Sequence, residues 1–150
     1  MRLALFTAAA LLAATSTGAL ADRAEDAVKA RQGIFQNFKW HIGPMVAIAK
    51  GQADYDAEAA QHHADMLAGL TPYLGGLFIE GTSNAERDDT DALPKIWEDQ
   101  AGFGQKAEDF NAAVTELVAV AGDGKDVMVE QFAAVGNACK ACHDTYRADN

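Results

Sequence analysis

The chain has 150 residues, 49% of them apolar, which suits one domain with enough nonpolar material for a core and excludes global disorder. Its formal charge of −10, from 12 Lys and Arg against 22 Asp and Glu, excludes the electrostatics of nucleic-acid binding or of docking on an anionic lipid surface. A basic protein partner would be attracted.

Residues 1–21 read as an export signal. Arg2 forms a short basic region, an apolar run extends from Leu3 to Ala14, and Ala19-Leu20-Ala21 is a small-residue cleavage site. The apolar run is too short to span a bilayer. Cleavage before Asp22 leaves residues 22–150 as the mature domain, one charge more negative, without membrane insertion and outside the cytoplasm.

A first helix is predicted from about Asp22 to Lys50. Val28, Arg31, Phe35, Phe38, Ile42, Met45 and Ala49 alternate at steps of three and four, which places them on one face. Arg31 is the single charge on that seam and needs an anionic partner or an edge position. Gly43-Pro44 should kink the helix, and Gly51 should end it. A second helix is predicted from Asp54 or Asp56 to about Leu70, with Ala60, His63, Leu67 and Leu70 inward. From Gly75 to Leu93 the pattern degrades into a long polar connection, which must cross the end of a bundle or line a ligand site. A third helix should begin near Pro94 and run to Ala121 with Ile96, Phe103, Ala107, Phe110, Val114 and Leu117 inward. After Gly122-Asp123-Gly124, a fourth should run from about Asp126 to Arg147, with Met128, Phe132, Val135, Cys139, Cys142 and Tyr146 in register. Two short connections make neighbours antiparallel. The expected fold is all-α, a left-handed antiparallel four-helix bundle, with no repeat or second domain.

The chemistry is concentrated at residues 139–143, Cys-Lys-Ala-Cys-His. The two cysteines share one face of the last helix, so each thiol can add across one vinyl group of a haem. His143 follows at once, placed to give Nε2 to the iron. The competing readings are weaker. A thioredoxin-like pair should follow a strand and open a helix, a structural zinc site needs four ligands, and a disulfide this short staples nothing. Haem also accounts for Arg31 on an apolar seam, as a counter-charge for a propionate. For the other axial side the candidates are Met45, Met66, Met128, His41, His62 and His63. Met128 shares a helix with His143 and cannot reach across. A methionine on a helical seam is more often core filler. Neighbouring His62 and His63 should point about 100° apart and not chelate as a pair.

The mature chain over residues 24–148 resembles the cytochrome c′ family of periplasmic haem proteins, which are up-down bundles. The matching segments are AVKARQG at 27–33, PMVAIAKG at 44–51, Gly81-Thr82, IWED at 96–99 and CKACHDTYR at 139–147. The resemblance implies one covalent haem c per chain, held by Cys139 and Cys142, with His143 as proximal ligand and Arg147 as the arginine beside it. It implies that Arg31 pairs with a propionate, that Gln32 lies on the same side, and that Phe35 lies over the distal face of the iron. Low-spin relatives carry methionine near that last position, where this chain reads Ile34-Phe35-Gln36. The implied protein is therefore high-spin and five-coordinate, binding nitric oxide and carbon monoxide, often as a homodimer through its first two helices, where Trp40 is a candidate contact. The alternative is an electron carrier serving a basic redox partner, with Met45 or Met66 as sixth ligand. A peroxidase would need a distal histidine–arginine pair above Phe35, and none is evident.

Overall fold

The computed structural model describes residues 9–149, with side chains described for 23–149. The proposed signal segment, residues 1–21, therefore has its side chains outside the described residues. Five α-helices follow in order: α1 (Ala9–Ala49), α2 (Ala57–Leu70), α3 (Lys95–Glu98), α4 (Gln100–Val120) and α5 (Lys125–Tyr146). The first helix is thus already formed at Ala9, upstream of Asp22, in an Ala- and Leu-rich stretch of high helix propensity. It also passes through Pro44 to Ala49. Beyond it, Gly51 adopts φ +67°, and two bonds close the end: Gly51 N–H to the Ile48 carbonyl at 3.0 Å and Gln52 N–H to the Ala47 carbonyl at 2.8 Å. This is the six-to-one and five-to-two pairing of a Schellman cap, and the left-handed φ explains the glycine. Helix α2 starts where Asp56 accepts a bond from Ala59 N–H at 2.7 Å.

The four long helices form a ring in which α1 packs on α2, α2 on α4, α4 on α5, and α5 back on α1. Tyr55, between α1 and α2, donates to the Ala121 carbonyl at 2.8 Å and accepts from Gly124 N–H at 3.1 Å. Both short connections therefore lie at one end of the bundle, and every neighbouring pair is antiparallel. Across the opposite end runs the connection from Thr71 to Pro94, which opens with two 3-10 turns, Thr71–Tyr73 and Gly75–Leu77. It is stitched to the end of α5 by Leu93 N–H to the Tyr146 carbonyl (3.0 Å) and Ala148 N–H to the Asp91 carbonyl (2.8 Å).

The main core joins Phe38, Met45, Ile48, Ala60, Ala64, Leu67, Val114, Leu117, Met128 and Val135. A second, smaller cluster at the connection end gathers Ala92, Ile96 and Tyr146, with Phe78, Trp97, Phe103 and Cys142 packed on it. Ile48 is buried in place of Ala49, and Ala107 is exposed; both alanines stood on predicted seams.

The predicted third helix is two helices. Asp99, at φ −130° and ψ 58°, ends α3 and caps α4, accepting from Gly102 N–H at 3.1 Å and from the Tyr146 hydroxyl at 2.9 Å. Those bonds hold the Asp99 carboxyl below its ordinary range, the Tyr146 contribution leading. A Cβ on Gly102 would lie 2.5 Å from both Asp99 Oδ2 and the Tyr146 hydroxyl oxygen. No room exists there for a side chain. Alanine is intrinsically the better helix former by about 1 kcal/mol, so the two effects oppose one another. We predict that the clash wins and that Gly102→Ala destabilises the fold by about 1–3 kcal/mol. Denaturant unfolding measures this, and a variant more stable than the parent would refute the close approach.

Candidate functional site

The last two turns of α5 carry Cys139, Cys142 and His143. The spacing of three puts both sulfurs on the side of α5 that faces the core. Both cysteines are half-buried thiols, not joined to each other. Cys139 packs against the main core and Cys142 against the smaller cluster, so the pair straddles the junction of the two. Burial pushes both thiols up, helped at Cys139 by Cys142 and opposed at Cys142 by Lys106.

His143 is exposed on α5, with Asp144 and Arg147 on the same stretch. Desolvation pushes its imidazole down, Arg147 adds to this, and Asp144 opposes it. The neutral ring that results is the ligating form. Phe35 faces it from α1, the ring centroids 6.5 Å apart and the rings edge to face. Phe35 also touches Phe38, which packs on Phe110 of α4, so an aromatic row runs inward from the site. Phe35 itself is 40% exposed. Two half-buried thiols on one helix face, an accessible imidazole one residue on, and an exposed apolar ring opposite form a donor set that fits a haem: reactive at its vinyl edge, apolar on its face, ligand-seeking at its metal.

Of the two methionines offered as a sixth ligand, Met45 lies away from this arrangement. Met45 is fully buried in the main core, ten residues and hence about 15 Å along α1 from Phe35. Met66 is 40% exposed on α2, which packs between α1 and α4.

Arg31 is buried, and its guanidinium is engaged by the long connection. Nη1 donates to Thr82 Oγ1 at 2.8 Å, while Nη2 donates to the Thr82 carbonyl at 2.7 Å and to Thr90 Oγ1 at 2.5 Å. The charge also lies 5.0 Å from the centre of the Phe78 ring. Burial lowers its proton affinity, and Asp89 acts against that. The next residue, Gln32, donates to the Asp89 carbonyl at 2.6 Å. Arg31 and Gln32 together therefore hold the connection against α1. Arg147 sits past the end of α5, its guanidinium 3.4 Å from Asp91 Oδ2 and its backbone N–H on the His143 carbonyl.

The sequence reading missed Thr82 and Thr90, whose role depends on a contact across more than fifty residues. It also missed that His41 on α1 meets His62 and His63 on α2, a convergence set by the register between two helices. Burial pushes His41 and His63 down.

An antiparallel four-helix bundle with Cys-x-x-Cys-His on its final helix defines a bundle-type c cytochrome. Comparison with known proteins narrows this. The family described as "Cytochrome C′" matches residues 26–147, a span that includes every candidate residue named above. Cytochrome c′ of Cereibacter sphaeroides is 41% identical over 140 residues, covering 93% of this chain and 94% of the relative. The solved cytochrome c′ from Rhodobacter sphaeroides superposes with a TM-score of 0.82 at 40% identity, over 85% of this chain and 98% of that one. A nitric oxide complex of a mutant cytochrome c′ from Alcaligenes xylosoxidans superposes with a TM-score of 0.76 at 38% identity, over 84% and 97%. The chain belongs to the cytochrome c′ family.

Removing the Arg31 guanidinium takes the donor from the Thr82 carbonyl inside the fold and unties α1 from both Thr82 and Thr90. We predict that Arg31→Ala costs about 2–4 kcal/mol and selectively raises hydrogen exchange across residues 78–93. Uniform exchange changes throughout the bundle would refute the clamp.

Proposed function

We propose that the chain is exported, loses residues 1–21, and works in the periplasm as a gas-binding protein carrying one haem c. Cys139 and Cys142 would each add sulfur and hydrogen across one vinyl group, forming a C–S bond and consuming the C=C bond with no change in net oxidation state. His143 would supply Nε2 to one axial side. The haem would supply an iron able to bind a diatomic ligand. Phe35, which faces His143, would lie on the ligand side and has no hydrogen-bond donor to offer. Nitric oxide and carbon monoxide bind ferrous iron through the metal bond itself and tolerate such a pocket; dioxygen gains more from a donor. Buffering of nitric oxide is the role that follows.

The observation that carries this reading is the Phe35 ring facing His143. The Alcaligenes xylosoxidans relative solved as a nitric oxide complex supports the ligand class. Arg147 is assigned beside the proximal ligand. Arg31 and Gln32 are assigned to the propionate side, acting there by fixing the connection and by the field of the buried charge. The acidic surface would steer a basic redox protein able to set the iron's oxidation state.

The test is the absorption and electron paramagnetic resonance spectrum of the exported protein, ferric and then reduced. High-spin signals in both states and a clean shift with carbon monoxide are expected. Phe35→Ala should leave the haem attached while changing the affinity for carbon monoxide and nitric oxide. Low-spin spectra indifferent to carbon monoxide would overturn the gas-binding reading, and unchanged affinities in the variant would overturn the role of Phe35.

We further infer a homodimer through α1 and α2, supported by Trp40, which lies 75% exposed on α1. Sedimentation should show a dimer in moderate salt, weakened by Trp40→Glu. A monomer at every accessible concentration would sink this assignment.

A further inference from the structure

A second set of metal-ligating side chains lies away from the cysteines, between α1 and α2. His41 on α1 is buried, His63 on α2 is half-buried, and His62 is exposed. One ring nitrogen from each can be chosen so that all three lie within 4.8 Å of one another. Among the described residues no other three His, Cys, Asp or Glu side chains converge in this way. His41 Nδ1 and His63 Nδ1 are 3.0 Å apart. The His62 ring centroid is 6.0 Å from that of His41 and 5.5 Å from that of His63.

A hydrogen bond between His41 and His63 would by itself satisfy the buried ring. It does not call for a third imidazole. Adjacent residues on a helix diverge by about 100°, yet His41 from α1 lies against both His62 and His63, its ring centroid 6.0 Å and 5.3 Å from theirs. Two imidazole nitrogens bound to one tetrahedral ion at about 2.0–2.1 Å stand roughly 3.3 Å apart. The observed 3.0 Å pair is already close to that spacing, and the exposed His62 ring stands against both of the other rings.

We propose that His41, His62 and His63 form a binding site for a divalent late first-row transition ion of the zinc or copper class, bridging α1 and α2 and leaving the fourth position to solvent. Three imidazoles are the ligands that suit such ions, and the absence of oxygen donors from the triad disfavours calcium and magnesium. The net charge of −10 draws cations to the surface. The site uses no residue of the haem constellation, so its occupancy does not depend on that reading.

Zinc chloride titrated calorimetrically into the purified haem-loaded protein, in a buffer that does not bind metals, tests this. One zinc per chain is expected, and X-ray absorption at the zinc edge should show three imidazole nitrogens. His62→Ala should weaken binding at least about tenfold. Its exposed position makes it safe for the fold, which the haem absorption band and far-ultraviolet dichroism of the variant will verify. His63→Ala should weaken binding further. A stoichiometry other than one per chain, parental affinity in His62→Ala, or a zinc edge dominated by oxygen would each overturn the proposal.

Discussion

A buried guanidinium governs how the open end of this bundle is organised. Arg31 lies on the apolar seam of α1, where an unpaired charge would be costly. Its donors are taken by two side-chain oxygens and a carbonyl of the connection between α2 and α3. That connection is too polar to supply a core of its own. Bound to Arg31 and Gln32 on one side and to the end of α5 on the other, it becomes a fixed cap. The second apolar cluster assembles under that cap, with Phe78 from the connection, Phe103 from α4 and Tyr146 from α5 in edge-to-face contact. One cation thus indirectly positions the surface on which Cys142 packs.

Dividing the apolar interior into two clusters has a functional consequence. A single continuous core would pack the α1–α5 seam shut along its length. Here the seam passes from one cluster to the other at Cys139 and Cys142, the two residues we assign to covalent attachment. The Asp99 break acts on the same region. By ending α3 and restarting the chain as α4, it brings the Asp99 carboxylate onto the Tyr146 hydroxyl, four residues after Cys142. A continuous helix from Pro94 would leave Asp99 without its capping role and Tyr146 without that partner.

Much of this is legible in the sequence, and the parts that are not share a cause. The seam of α1 is readable at Val28, Arg31, Phe38 and Met45, because a helix repeats its buried positions locally. The Cys-x-x-Cys-His string is readable for the same reason. The break at Asp99 is harder, since Asp99-Gln100 interrupts no hydrophobic period; the hint lies in an aspartate three residues before a glycine. Non-local features leave no such trace. Nothing around Arg31 names Thr82 as its partner, and no helical pattern shows that His41 meets His62 and His63. Those facts depend on how one helix is set against another and on where a long connection lands.

Phe35 illustrates how placement carries more than residue type. A phenylalanine side chain gains about 1.5–3 kcal/mol on full burial, yet this one remains 40% exposed at the edge of the main core. Phe38, one turn further on, is buried against Phe110. The seam therefore turns away from the core between these two residues, at the level of His143. Phe35 keeps a ring contact with Phe38 while its other side is turned toward the His143 imidazole. In the role we assign to Phe35, a ring without a hydrogen-bond donor would face a ligand two atoms long. Ligand choice at such a surface is made by what the protein withholds: without a donor, the balance shifts toward ligands whose binding comes from the metal bond alone.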